Sequence, residues 1–160
     1  AVEKWTKLKA TKSNIKLHMV GKLQTNKVKY AVKLFDYIHS LDSIKLAKKI
    51  SEEQAKVKKD LKIFIQINIG NENQKNGITI EELPQFYKIC KKDFNLNIVG
   101  LMCLPPLDND PSNYFAKMQK ISNDYSFREL SMGMSSDYLT AIQYNSSFVR
   151  IGSKIFGKRN

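Results

Sequence analysis

A repeated alternation between short apolar runs and longer amphipathic stretches is the feature that most limits how this chain can fold. Six apolar runs occur, and each is followed by a helical pattern or by a turn that leads toward one. Such repetition predicts strand–helix–strand units, in which the strands are parallel and the crossovers are right-handed. The predicted strands cover residues 15–20, 37–41, 61–69, 96–104, 127–132 and 148–151.

The stretches between the strands carry signals for the start of a helix. Ser43 is a preferred N-cap ahead of an apolar face, and Thr79 and Glu82 have the spacing of a capping box. Asp110 is a cap followed by proline, the residue favoured at the first helical position. Pro84 fits poorly within the helix that the capping box opens, so we expect that helix to begin late.

The number of units decides between the architectures open to a parallel sheet. Six short units with no long insertion favour a β/α barrel over an open sheet with helices on both sides. A closed (β/α)8 barrel needs eight units and about 250 residues, whereas this chain has 160 residues and begins, over residues 1–9, on a pattern typical of the end of a helix. We therefore predict an α/β fold, an incomplete TIM-type barrel of about six parallel strands and their helices. At roughly 150 residues per domain, residues 1–160 are predicted to form one domain.

The chain is strongly basic, with a formal net charge of +12 and 27 basic residues, all lysine except Arg128, Arg150 and Arg159. Such a charge is typical of proteins that bind polyanions. The lysines, however, are spread over every predicted helix, and aromatic residues do not alternate with them as a base-stacking surface requires. We predict no nucleic-acid partner, and a basic module for nucleic acid or acidic partners remains an alternative function.

Other classes of protein are disfavoured by what the sequence lacks. No run of about 18 apolar residues is present to cross a membrane, and the chain does not open on a charged and apolar leader. Cys90 and Cys103 stand apart from any CxxC pair, which argues against a disulfide framework and a zinc site. We predict no membrane partner, no metal, and a location in a reducing compartment, the cytoplasm.

Two loops, each following one of the last two predicted strands, combine small and hydroxyl-bearing residues. Ser135 follows the fifth strand, and Gly152 and Ser153 follow the sixth. Free backbone N–H groups at the start of a helix bind phosphate, and the loops after the last two strands of a barrel are a frequent phosphate site. The pattern alone fits a phosphate site, and it fits a pair of ordinary strand-to-helix caps as well.

Five blocks of the sequence are highly specific when they are taken together. They read HMVGKLQTNK from His18, IQINIGNENQKNG from Ile65, GLMCLP from Gly100, SMGMSSD from Ser131 and VRIGSKIFG from Val149. In this order and at this spacing they resemble the pyridoxal-phosphate homeostasis protein family, often called YggS or PROSC. The resemblance covers most of the chain, from His18 to Gly157.

The resemblance implies a barrel like the N-terminal domain of alanine racemase, holding pyridoxal 5′-phosphate (PLP). It puts the phosphate on Ser135, Gly152 and Ser153, with Met134 beside them, and it puts Arg150 near the pyridine nitrogen. Because arginine keeps its positive charge, it disfavours protonation of that nitrogen, and the ring becomes a poor electron sink. This agrees with a family known for binding and supplying PLP rather than for turnover, so we predict no catalytic residues. A PLP-dependent enzyme of the racemase or decarboxylase type remains an alternative.

Further residues lie in or near these blocks. His18 is a strand residue that would be a core histidine on its own, but its block suggests that it faces the barrel interior and helps to shape the cofactor pocket. Met102 ends a strand and fits either the ring pocket or plain core packing. For Arg150 the alternative to a cofactor contact is a buried ion pair.

The sequence departs from the family in one respect that concerns the cofactor. The family forms a Schiff base through a lysine on the first barrel strand, and no block here matches that strand or the next. Lys22 and Lys154 follow strands near the predicted site but belong to other blocks. We therefore expect this chain alone to bind PLP weakly and without a covalent bond, if it binds at all. Absent strands would also leave exposed sheet edges, so we expect self-association through those edges or low stability.

Overall fold

Six parallel strands form one sheet, and their order in the sheet is their order along the chain. The structure is a computed structural model that describes residues 5–7, 11, 14–72, 74, 76–106 and 110–157. Each strand pairs in parallel with the next, as the repeated strand–helix unit predicts. The strands are β1 (His18–Met19), β2 (Tyr37–Leu41), β3 (Lys62–Ile67), β4 (Ile98–Cys103), β5 (Glu129–Met134) and β6 (Phe148–Arg150).

Helices connect the strands and cover one side of the sheet. The first of them follows a short 3-10 turn at Thr25–Lys27. In the predicted helix end at residues 1–9, Trp5, Thr6 and Lys7 are helical, and the other residues lie outside the described part of the chain. The helices between and after the strands are α1 (Val28–Leu34), α2 (Ile44–Lys56), α3 (Leu83–Lys92), α4 (Pro111–Asp124), α5 (Tyr138–Gln143) and α6 (Ser153–Phe156).

The predicted helix starts are confirmed. The Thr79 N–H donates to a Glu82 carboxylate oxygen over 2.7 Å, and the Glu82 N–H donates to the Thr79 hydroxyl oxygen over 3.3 Å, which is the reciprocal pattern of a capping box. Ser43 caps α2, and Asp110 caps α4 directly ahead of its proline. The expectation that Pro84 makes α3 begin late is confirmed, because the helix begins at Leu83, four residues after Thr79, and Pro84 lies in its first turn. Proline is tolerated there since the first N–H groups of a helix have no intrahelical partner.

Five of the six strands differ in extent from their predicted ranges, and the differences at the first and fifth strands have local causes. The first predicted strand, 15–20, shortens to two residues, because the Leu17 N–H donates to the Asp36 carboxylate over 2.9 Å and its carbonyl accepts from Asp36 N over 2.8 Å. The fifth begins two residues later than predicted. The Phe127 N–H donates to Ser122 O over 2.9 Å, so that residue closes the end of α4 instead of starting β5.

The two faces of the sheet differ in what they bury. One face packs aliphatic side chains against the helices and forms the hydrophobic core. The other face is concave and carries aromatic and polar side chains. The rings of His18 on β1 and Phe148 on β6 are 5.4 Å apart between centroids, although these two strands form no ladder within the described residues. The sheet is therefore curled into an incomplete barrel of six strands, as the sequence predicts.

Candidate cofactor-binding site

The carboxyl ends of β5 and β6 meet at one edge of the sheet and bring the two candidate loops together. Met134 pairs in register with Arg150, and both side chains are half-buried. One residue further along, the Gly152 N–H donates to the hydroxyl oxygen of Ser135 over 3.1 Å. Ser153 follows as the first residue of α6 and is exposed. We call Ser135, Gly152 and Ser153 the serine–glycine junction.

A tight turn at the end of β5 holds Ser135 in place. The Met134 N–H donates to the Asp137 carboxylate over 2.6 Å, and the Asp137 N–H donates back to Met134 O over 3.1 Å. Gly133 has φ +93°, and a Cβ there would lie 2.6 Å from Cβ of Ala141 in α5. Only glycine therefore allows the strand to turn here while α5 packs against it.

The serine–glycine junction is open to the outside. Gly152 is exposed, and a Cβ built on it would meet no heavy atom within 4 Å. A cavity of about 290 Å³ opens next to the junction and reaches Arg150 and Met134. That volume is at the lower end of the roughly 300–1,000 Å³ of small-molecule sites. The rest of its lining comes from the end of β5, the loops after β4 and β5, and the helices that follow them, namely Pro105, Pro106, Pro111, Gly133, Ser136, Asp137 and Thr140.

The guanidinium of Arg150 is held by neutral oxygens. Its Nη1 donates to the carbonyl and to the hydroxyl oxygen of Ser131 over 3.0 and 2.8 Å, and its Nη2 donates to Cys103 O over 2.9 Å. Its Nε has no hydrogen-bond partner within the described residues. Burial lowers the pKa of Arg150, against the opposing influence of Cys103 and Asp137, and the group remains a cation. All of these acceptors are neutral carbonyl or hydroxyl oxygens, and none is a carboxylate. The contacts therefore do not support the buried ion pair that the sequence left open as an alternative for Arg150.

His18 faces the interior of the curled sheet, as its sequence block suggests. Its ring stacks on Tyr37 with centroids 4.1 Å apart, and it also contacts Phe148. Its Nδ1 lies 2.9 Å from Nε2 of His39. These partners belong to an aromatic layer in the concave face, and none of them is a residue of the serine–glycine junction. A role for His18 in shaping the pocket stays a prediction.

Two residues that sequence reasoning left without a site role connect His18 to Arg150. His39 contributes Nδ1, which lies 2.8 Å from the hydroxyl oxygen of Ser131, and Ser131 in turn holds Arg150. Ser131 and His39 are only 0% and 2% exposed. The signal in the sequence is that the chain has two histidines and that each lies on a predicted strand. We call His18, His39, Ser131 and Arg150 the buried polar chain.

Both histidines of the buried polar chain are neutral at pH 7. The pKa of His39 is lowered to about 3, first by burial and then by the nearby His18 and Arg150. Burial also lowers the pKa of His18, which Asp36 partly opposes. A neutral imidazole has one donor and one acceptor nitrogen, so each ring can pass a hydrogen bond along the chain.

Other candidate groups show no sign of reactivity. Cys90 and Cys103 are free and buried, and burial raises the pKa of both thiols to about 12. In the part of the chain that the structure covers, no three His, Cys, Asp or Glu side chains gather to hold a metal ion. In the same part, every helix is too short or too polar to cross a membrane. Met102 is fully buried at the sheet.

The two lysines nearest the site are both exposed. Lys154 follows the junction directly, and its Nζ lies 4.7 Å from the ring centroid of Tyr138 in α5. Lys22 lies on the loop after β1.

Comparison with known proteins decides the family. The family described as the alanine racemase N-terminal domain matches residues 3–160. The pyridoxal phosphate homeostasis protein of Haemophilus influenzae is 36% identical over 169 residues, which cover 99% of this chain and 71% of that protein. The chain belongs to the pyridoxal phosphate homeostasis protein family, whose members have the alanine racemase N-terminal domain. The corresponding protein of Aquifex aeolicus is 34% identical over 155 residues, which cover 91% of this chain and 68% of the relative.

Solved structures agree with the sequence relatives. PipY of Synechococcus elongatus, solved with PLP bound, is 27% identical with a TM-score of 0.85, and the match covers 98% of this chain and 79% of PipY. Alanine racemase from Corynebacterium glutamicum has a TM-score of 0.70 at 12% identity, over 99% of this chain and 46% of the enzyme. That second likeness concerns the fold alone, and it identifies the curled sheet as part of an alanine racemase-type barrel.

Proposed function

We propose that this protein binds pyridoxal 5′-phosphate and serves PLP homeostasis, and that it does so without turning over a substrate. The contact between the Ser135 hydroxyl and the Gly152 N–H carries the proposal, because it joins two sequence blocks of the family at one open edge. Family membership and the PLP-bound state of PipY support it. We expect the protein to act in the cytoplasm, which the two free buried thiols favour.

The chemistry of the serine–glycine junction fits the phosphate of PLP. Ser135 and Ser153 offer hydroxyl groups, and Gly152 offers a backbone N–H with open space beside it. In this structure the Gly152 N–H and the Ser135 hydroxyl oxygen bond to each other. A phosphate oxygen is a stronger acceptor because it is charged, so it replaces that contact and accepts from both groups. Met134, in register with Arg150, lies beside this phosphate site.

Arg150 is the residue that limits the chemistry of the site. When PLP is bound, its pyridine ring supplies electron withdrawal to the attached substrate. Arg150 is a permanent cation, and we propose that it faces the pyridine nitrogen and keeps that nitrogen unprotonated. The ring then withdraws electrons weakly, and the site favours storage and transfer of the cofactor over catalysis. Measurable turnover of free amino acids by the PLP-loaded protein would overturn this part of the proposal.

We further propose that this chain holds PLP without a covalent bond. The family lysine has no counterpart in the five sequence blocks, and Lys22 and Lys154 are both exposed. Mixing the protein with PLP and reducing with borohydride should leave the intact mass unchanged. A stoichiometric adduct of PLP on one lysine, located by peptide mapping, would contradict the expectation.

The phosphate site itself is tested by serine replacement. We expect Ser135→Ala combined with Ser153→Ala to weaken PLP binding by about a hundredfold or more, since each of the two hydrogen bonds to a charged group is worth roughly 1.5–3 kcal/mol. Binding is followed by fluorescence titration at equilibrium. Ser136→Ala is the matched control, because that serine lies in the same loop but lines the neighbouring cavity instead. Loss of affinity in the control and not in the double variant would place the phosphate in the cavity and refute the assignment.

A further inference from the structure

The direction of each hydrogen bond in the buried polar chain follows from Arg150, because a guanidinium only donates. Its Nη1 donates to the Ser131 hydroxyl oxygen over 2.8 Å. Within the described residues, the acceptor in reach of the Ser131 hydroxyl proton is Nδ1 of His39, 2.8 Å away. His39 then carries its own proton on Nε2 and donates to Nδ1 of His18 over 2.9 Å.

This order of donors connects Arg150 to most of the sheet. The guanidinium lies on β6, and its acceptors Ser131 and Cys103 lie on β5 and β4. His39 and His18 extend the connection to β2 and β1. Five of the six strands therefore contribute to the orientation of one side chain. The Arg150 Nε–H has no partner in the described residues and is free to make another contact.

We propose that Ser131 and His39 are positioning residues, which hold the Arg150 guanidinium in the orientation that it needs beside the PLP ring. The proposal rests on the proposed function. A free arginine side chain samples many rotamers, and ordering it during binding costs affinity. Two hydrogen bonds to Ser131 and one to Cys103 order the group before the cofactor arrives. Neither Ser131 nor His39 touches the cofactor in this account.

The charge state of His39 agrees with this arrangement. A protonated imidazole has no acceptor nitrogen, so the Ser131 hydroxyl would have no acceptor for its proton and would face donors on both sides. The low pKa of His39, caused first by burial, keeps the ring neutral. The four residues therefore form one consistent donor sequence at neutral pH.

A measurement without PLP tests the positioning directly. The chain has three arginines, so protein labelled with ¹⁵N only in arginine gives few guanidinium signals in NMR spectra. We expect separate, slowly exchanging Nη protons for Arg150 in the natural sequence, because three acceptors restrict rotation of the group. Ser131→Ala should speed this exchange and broaden the signals, because the variant loses the hydroxyl acceptor and keeps only the backbone carbonyls of residues 131 and 103. Ser122→Ala is the matched control, since that serine is also buried and donates to Phe127 O, but it lies in α4.

The second measurement is PLP affinity in the same variants. We expect Ser131→Ala and His39→Leu to weaken binding about tenfold, and Ser122→Ala to leave it within twofold even if the protein becomes less stable. His39→Gln should restore affinity, because a side-chain amide accepts and donates as a neutral imidazole does. This rescue separates positioning from general damage, and it keeps the test available if His39→Leu fails to fold.

The two readouts separate failure of this inference from failure of the proposed function. If the natural sequence binds no PLP, the proposed function is wrong, and the arginine spectra still decide whether Ser131 and His39 hold Arg150. If the natural sequence binds PLP and Ser131→Ala keeps both the Nη signals and the affinity, the inference is wrong and the function stands. Equal losses in Ser131→Ala and Ser122→Ala would also overturn it, because they would reflect stability alone.

Discussion

The two faces of the sheet are made from alternate residues of the same strands, and they have opposite characters. On β3, Ile63, Ile65 and Ile67 pack into the core beneath the helices, while Phe64 stacks on His39 in the concave face with centroids 4.3 Å apart. The helix-facing side is aliphatic and needs no partner of defined geometry. The concave side contains a hydrogen-bonded chain in which every member has a specific partner. The comparison teaches that stability and ligand recognition can be changed separately in this fold.

The largest effect on stability is expected from a substitution on the helix-facing side of the sheet. Ile65 is fully buried, and Ile65→Ala should lower the free energy of unfolding by about 2–5 kcal/mol, because it removes apolar contacts and leaves a cavity. Urea denaturation measures the loss. The PLP affinity of the fraction that remains folded should stay unchanged. A stable Ile65→Ala variant with weakened PLP binding would break the proposed separation of the two faces.

The concave face should make stability depend on pH. The pKa of His39 falls from 6.5 in the unfolded chain to about 3 in the fold, so above pH 6.5 the ring is neutral in both states and has no effect. As pH falls below 6.5, the unfolded chain takes up a proton that the folded protein excludes. Stability then decreases by up to about 1.4 kcal/mol per pH unit for one such group.

Urea midpoints between pH 7.5 and 5 test this dependence in a range where the carboxylates contribute little. The Glu53 pKa is lowered to about 2, and those of Glu81 and Asp110 are lowered as well. Their stabilising effect is lost only below their ordinary pKa values, near pH 4. His39→Gln should flatten the profile between pH 6.5 and 5, with the remaining slope due to His18. An unchanged profile in that variant would show that His39 is protonated equally in both states.

A smaller effect on stability is expected at Arg150. Arg150→Lys keeps the charge, but a single ammonium group cannot satisfy acceptors on Ser131 and Cys103 together. Leaving a buried acceptor without a donor costs about 1–3 kcal/mol, and PLP affinity should fall as well. Arg128→Lys is the control, because Arg128 is exposed. Thermal unfolding that is equal in the two variants would contradict the role of the guanidinium fork.

The smallest expected effect concerns the open sides of the sheet. The outer edges of β1 and β6 have no neighbouring strand among the described residues, and Ile155 and Phe156, which follow β6, are 67% and 85% exposed. We propose weak self-association through this region, since exposed edges and apolar patches pair with other chains. Sedimentation velocity over a hundredfold range of concentration should show it, and Phe156→Ser should reduce it. A single monomeric species at every concentration would refute the proposal.

Sequence patterns predict the strands and the capped helices of this protein well, because these features depend on neighbouring residues. The capping box of Thr79 and Glu82 and the parallel order of the strands are examples. The two-residue shift of β5 was not predictable, since it depends on Phe127 bonding back to Ser122.

The candidate site likewise has a part that the sequence predicts and a part that it does not. Ser135, Gly152, Ser153 and Arg150 follow from sequence blocks, and their proximity follows from the parallel topology. The link from His39 to Ser131 spans 92 positions, and no local pattern indicates it. Whether a strand histidine meets a serine across the sheet depends on curvature and register, which the sequence does not display.

The structure of this protein with PLP bound is the most direct test of the central claim. We predict phosphate oxygens within hydrogen-bond distance of the hydroxyl groups of Ser135 and Ser153 and of the Gly152 N–H, with the pyridine nitrogen beside Arg150. A phosphate located in the cavity lined by Pro105 and Thr140, or a ring remote from Arg150, would contradict the account.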